Sequence, residues 1–93
     1  MKSLKYIIRI DTEAEKAFKK LSGRDREYVA ERIKSLAVNP RPDGVKKLKG
    51  MRDLYRVRAR NYRIVYRIFD SEITILVVNI AKREDAYRNL RNK

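Results

Sequence analysis

The chain has 93 residues, neither cysteine nor histidine, 43 % apolar residues and a formal net charge of +13. These figures allow one small domain with a single core, and they exclude a disulfide framework, a thiolate nucleophile, and histidine as metal ligand or general base. No apolar run approaches the roughly 18 residues of a membrane span, and the lysines and arginine of residues 1–10 leave no signal-peptide core, so a soluble cytoplasmic protein is expected.

Tyr6, Ile8 and Ile10 continue an alternation begun at Leu4, the period of a strand with one apolar face. Thr12 followed three residues later by Glu15 has the form of a capping box, and Ala14, Ala17, Phe18 and Leu21 then recur at helical spacing until Ser22-Gly23. Asp25 is placed to cap a second helix with Val29, Ile33 and Leu36 as its buried stripe. The prolines and glycine of Asn39-Pro40-Arg41-Pro42-Asp43-Gly44 then break the chain, because the residue before a proline avoids helix.

A basic stretch, VKKLKGMRD, leads into three strands at 54–60, 62–69 and 72–79, with turns at Arg60-Asn61 and Asp70-Ser71. In a two-residue loop at Arg60-Asn61, opposite residues sum to 121, so Arg58 faces Arg63, Val57 faces Ile64 and Tyr55 faces Tyr66. Parity sends Tyr55, Tyr62 and Tyr66 to the core face, together with Ile64, Ile68, Ile73, Ile75 and Val77. The other face takes Arg56, Arg58, Arg63 and Arg67 with Val65, Leu76 and Val78. The predicted architecture is α+β in the order β-α-α-β-β-β, a helical hairpin on one face of a small antiparallel sheet, with the first strand at an edge and a short C-terminal helix or tail.

Positive charge is densest where the hairpin lies. Residues 41–67 hold ten basic and two acidic side chains, more than solubility asks of a small domain and typical of nucleic-acid binders. Like charges directly opposite in a sheet are destabilising, so the Arg58–Arg63 pair reads as a site for an anion, with phosphate the natural candidate. Lys46, Lys47, Lys49, Arg52, Arg67 and Lys82 are the candidate contacts to further phosphates. The carboxylates make no paired acid–base or metal site: Glu13 and Glu15 fall in a first helical turn, and Glu27 and Glu31 are one turn apart.

The helical hairpin, the Asn39-Pro40 break, KKLKG, LYRVR, NYRIVYRI and a closing KRE..Y resemble, in this order and spacing, the RelE-like toxins of toxin–antitoxin pairs. The resemblance covers nearly the whole chain and implies a microbial-RNase-like fold and ribosome-dependent cleavage of messenger RNA in the A site. A ribose 2′-hydroxyl would attack the neighbouring phosphate, giving a cyclic phosphate and a free 5′-hydroxyl. Residue by residue, the family's basic pair falls on Arg56 and Arg58, its next arginine on Arg63, its late arginine on Arg83 and its tail tyrosine on Tyr87. Arg58 and Arg63 would clamp the phosphate, Arg83 stabilise charge or protonate the leaving oxygen, and Tyr87 stack on or orient the neighbouring base.

This sequence departs from the family pattern in the basic pair, which is lysine in characterised RelE enzymes. Arginine stays protonated and is a poor proton acceptor, so the general base is left open between Tyr87, a lysine such as Lys82 or Lys49, and a ribosomal group. The tail is also two residues shorter than the family's between Arg83 and Tyr87. The resemblance implies no cofactor, metal or membrane, but two partners: a ribosome carrying messenger RNA, and a RelB-like antitoxin whose acidic segment occupies the arginine face or displaces the Tyr87 tail. Two other functions stay open at this point, a ParE-like poison of DNA gyrase and a non-catalytic RNA- or ribosome-binding block to translation.

Overall fold

The computed structural model describes residues 5–82, so Leu4, Arg83 and Tyr87 lie outside it. Its elements are β1 (Ile7–Ile10), α1 (Thr12–Lys19), α2 (Gly23–Val38), β2 (Lys46–Lys47), β3 (Leu54–Ala59), β4 (Tyr62–Phe69) and β5 (Thr74–Lys82), with a 3-10 turn at Asp70–Glu72. The strands form one sheet in the order β1-β5-β4-β3-β2.

Both helices are capped by residues before the expected ones, α1 by one position and α2 by three. Asp11 caps α1, its carboxylate accepting from the Ala14 N–H, and Thr12 is already helical. Ser22 caps α2, accepting from the Asp25 N–H, so Gly23 opens the second helix instead of closing the first. A carboxylate or hydroxyl in extended backbone just before the first turn satisfies an orphan N–H, and in each case a residue nearer the N-terminus takes that place.

The sheet is mixed and not wholly antiparallel. Strand β1 runs parallel to β5, with Ile7 beside Thr74 and Ile10 beside Val77, and it is held at its ends by Ile7 N–H to Ile73 C=O (2.8 Å) and Asp11 N–H to Val77 C=O (3.0 Å). A parallel neighbour needs a long crossover, which the helical hairpin and the following strands supply. Tyr6 and Ile8 pack on the core, whereas Ile7 (57 % exposed) and Ile10 (43 %) do not, because β1 is a short edge strand.

One core lies between helices and sheet: Ala14, Val29, Ile33 and Leu36 meet Val57, Ala59, Ile64, Tyr66, Ile68, Ile75, Val77 and Ile80. Burying each large aliphatic side chain contributes about 1.5–3 kcal/mol, which holds an eight-residue helix such as α1 that would be marginal alone. The β3–β4 register is the expected one, from Leu54 opposite Arg67 to Ala59 opposite Tyr62. Strand β5 starts later than expected and runs on to Lys82, and Ile73 sits before it with a left-handed φ of 48°. Tyr66 pairs with Val77 but Val65 with Asn79, so β5 carries one extra residue. This bulge shifts the parity and returns Ile80, 3 % exposed, to the core face.

The Asn39–Gly44 connector is tied down by aromatic residues. The buried Tyr66 hydroxyl donates to the Pro40 carbonyl at 2.7 Å. Arg41 lies over the Tyr55 ring, 5.3 Å from its centroid, and pairs with Asp70 (Nη2 to Oδ2, 2.9 Å) in the β4–β5 turn.

Candidate anion-binding site

Alternation along β3 and β4 puts Arg56, Arg58, Arg63 and Arg67 on the sheet face turned away from the helices. Arg58 stands directly opposite Arg63, Arg56 opposite Val65, and Arg67 opposite Leu54. The site is therefore built on two adjacent strands, a stiffer platform than a loop. Arg58 is exposed, Arg56 and Arg63 are half-buried, and the Nε of Arg63 is buried.

The floor between the arginines is apolar. Leu54 and Val65 are fully buried on this face, packed against Leu48, Met51, Val78 and Ala81. The basic stretch after the connector thus folds down onto the arginine face, an arrangement that hydrophobic alternation in the strands did not disclose. Arg67 holds it there, its Nη1 donating to the Arg52 carbonyl at 2.8 Å. Its guanidinium is spent in part on shaping the loop that carries Lys49 and Arg52, both exposed.

The other candidate cations separate by register. Lys46 pairs with Arg56 and shares its face, whereas Lys47 pairs with Tyr55 and Lys82 with Tyr62, on the face that carries the core. Arg56, Arg58, Arg63 and Lys46 are brought together; Lys47 and Lys82 are not. The expected contributions of Arg83 and Tyr87 fall outside the described residues.

Tyr62 and Tyr66 offer no base. Burial pushes the Tyr66 phenol well above its ordinary value, and its proton is committed to Pro40. The Tyr62 hydroxyl donates to Asp25 Oδ2 at 3.0 Å, and that hydrogen bond raises its pKa. What this face supplies is fixed positive charge on a partly apolar platform, suited to gripping a phosphodiester and to stabilising charge that grows on it.

Sequence reasoning passed over Arg32. It lies three residues after Val29 and four before Leu36, at the border of the buried stripe of α2, and its Nε donates to the Arg58 carbonyl at 3.1 Å. A long basic side chain at such a position was the available signal.

Comparison with known proteins gives one consistent neighbourhood. Residues 5–87 match the family described as "ParE toxin of type II toxin-antitoxin system, parDE". The mRNA interferase toxin RelE of Escherichia coli (strain K12) is 32 % identical over 81 residues, covering 85 % of this chain and 84 % of RelE. Among solved structures, the intact E. coli RelBE toxin–antitoxin complex contains a chain that superposes with a TM-score of 0.74 at 30 % identity, covering 83 % of this chain and 95 % of that one. The archaeal RelE–RelB complex from Pyrococcus horikoshii OT3 gives 0.77 at 28 % identity, over 88 % and 99 %.

Proposed function

This chain belongs to the RelE/ParE superfamily of type II toxins, and on that premise we propose that it arrests translation by cutting messenger RNA in the ribosomal A site. The observation that carries the reading is the Arg58–Arg63 pair, two arginines directly opposite each other on a RelE-like sheet with Arg56 on the same strand. In this mechanism Arg58 and Arg63 grip the scissile phosphate and stabilise the extra negative charge it gains as the 2′-oxygen attacks. Arg56 polarises the same group. Arg83 stabilises charge or protonates the departing 5′-oxygen, and Tyr87 orients the adjoining base. Proton removal falls to Tyr87, to a lysine such as Lys49 or Lys82, or to the ribosome, since arginine is a poor acceptor.

The partner is a RelB-like antitoxin, by analogy with the toxin–antitoxin complexes among the structural neighbours. An acidic segment that folds on binding complements the basic face. The test is to induce the protein in cells and map transcript 5′ ends, with Arg63→Ala as control. New codon-associated cuts that vanish in the variant support the reading, and translation arrest without cuts refutes it.

The match to a family described as ParE favours a second reading, in which the toxin poisons DNA gyrase. Accumulation of gyrase–DNA cleavage complexes without transcript cuts would establish that branch.

A further inference from the structure

Strand β2 is only two residues long, and where it leaves β3 a notch of about 300 Å³ opens in the sheet edge. Its walls are Asp43, Gly44 and Lys46 on the connector side, Arg56, Val57 and Arg58 on β3, and Arg32 reaching over from α2. Four cations thus surround one carboxylate.

The backbone adds a donor. The Leu48 N–H bonds to the Leu54 carbonyl across β2–β3, so Leu54, Arg56 and Arg58, spaced by two, all turn their N–H and C=O groups towards this edge. The Arg58 carbonyl accepts from Arg32 Nε at 3.1 Å, in agreement with that direction. Its N–H therefore points to the same side, across from Gly44. One residue thus serves two places, with the Arg58 side chain paired to Arg63 on the arginine face and its main chain forming a wall of the notch.

Resting on the function proposed above, we infer that this notch binds a second RNA phosphate, next along the chain from the one gripped by Arg58 and Arg63, and that Arg32 is the side chain that binds it. The strand of RNA leaves the arginine face over the β3 edge. Arg32 binds that second phosphate, and its hydrogen bond to the Arg58 carbonyl holds the guanidinium at the notch. Continuity with the Arg58–Arg63 pair favours RNA over an acidic protein segment as the occupant.

The test measures binding of an uncleavable 2′-O-methyl RNA hexamer against salt, beside a dinucleotide with one phosphate. Arg32→Gln should weaken the hexamer several-fold and flatten its salt slope by about 0.7, one single-strand phosphate contact, while the dinucleotide binds as before. Lys46→Gln should flatten the slope from the opposite wall, and Arg32→Lys should retain it. An unchanged hexamer slope in both Arg32→Gln and Lys46→Gln overturns the inference, as does a wild-type protein that binds no hexamer. Equal loss of an oligo-glutamate peptide in Arg32→Gln also overturns it, in favour of an acidic protein partner. Transcript cutting with an unchanged slope removes the notch but leaves the proposed function, whereas an Arg32-dependent slope without cutting does the reverse.

Discussion

Arg58 and Arg63 are a directly opposed cross-strand pair, two like charges at neighbouring positions of the sheet. Such a pair is destabilising, by analogy with like-charge neighbours on a helix by about 0.2–0.5 kcal/mol. Replacing the exposed member, Arg58→Thr, should therefore raise stability by up to about 0.5 kcal/mol at low salt, with the gain fading in 1 M salt as the repulsion is screened. The same variant should lose at least tenfold in messenger-RNA cleavage. Urea denaturation at two salt concentrations beside a cleavage assay checks both halves. A variant that loses stability would show that the pair is not strained.

Acid should loosen the far end of the sheet. Asp70 accepts from Arg41 (2.9 Å) and from the Tyr6 hydroxyl (2.7 Å), and these hydrogen bonds, that from Arg41 foremost, hold its carboxyl below the ordinary range. A carboxyl depressed in the folded state stabilises it above the unfolded pKa, and that contribution disappears as pH falls through the lowered value. Wild-type protein should thus lose more stability than Asp70→Asn between pH 5 and pH 2, a window that opens roughly one unit above an unperturbed carboxyl and runs down through it. Denaturation midpoints across that range provide the comparison, and parallel curves would refute it. Arg41→Ala should flatten the wild-type curve in the same way.

The helix caps yield a prediction that separates sequence pattern from structure. Asp11→Ala and Ser22→Ala each remove a side chain that accepts a first-turn N–H, and each should cost about 1 kcal/mol. Thr12→Ala, at the site that pattern alone nominates, should cost less than half as much. Thermal unfolding of the three variants decides between the two assignments, and a larger loss from Thr12→Ala would restore the capping box.

These caps illustrate what could and could not be read from the chain. The β3–β4 register was legible because a two-residue turn at Arg60-Asn61 fixes every opposed pair, and the core face followed from period-two alternation. The bulge at Val78 was not, since one extra residue changes parity without any change in composition, and so Ile80 was missed as core. The sense of β1 was equally hidden, because alternation specifies faces and not direction. Nor did residue type separate Lys46 from Lys47: neighbours in sequence, they pair with Arg56 and Tyr55 and so point to opposite faces. Arg32 escaped because its partner is a main-chain carbonyl 26 residues away.

The least usual chemical feature of the proposed active site is arginine at both positions of the basic pair on β3, Arg56 and Arg58. Guanidinium is a donor with no acceptor atom to offer, so neither residue serves as the base. Lysine differs, because neighbouring cations and partial burial lower its pKa and create a fraction of neutral amine. The double variant Arg56→Lys, Arg58→Lys keeps two positive charges on the same strand but introduces candidate bases. If proton removal limits the wild-type reaction, the variant should cut programmed ribosomes faster, with a rate that climbs from pH 6 to pH 9 more steeply than wild type. Single-turnover rates measured across that range supply the test. A variant slower at every pH would mean that the bidentate grip of arginine on phosphate matters more than a base on this strand, and proton removal would then be sought at Tyr87 or on the ribosome.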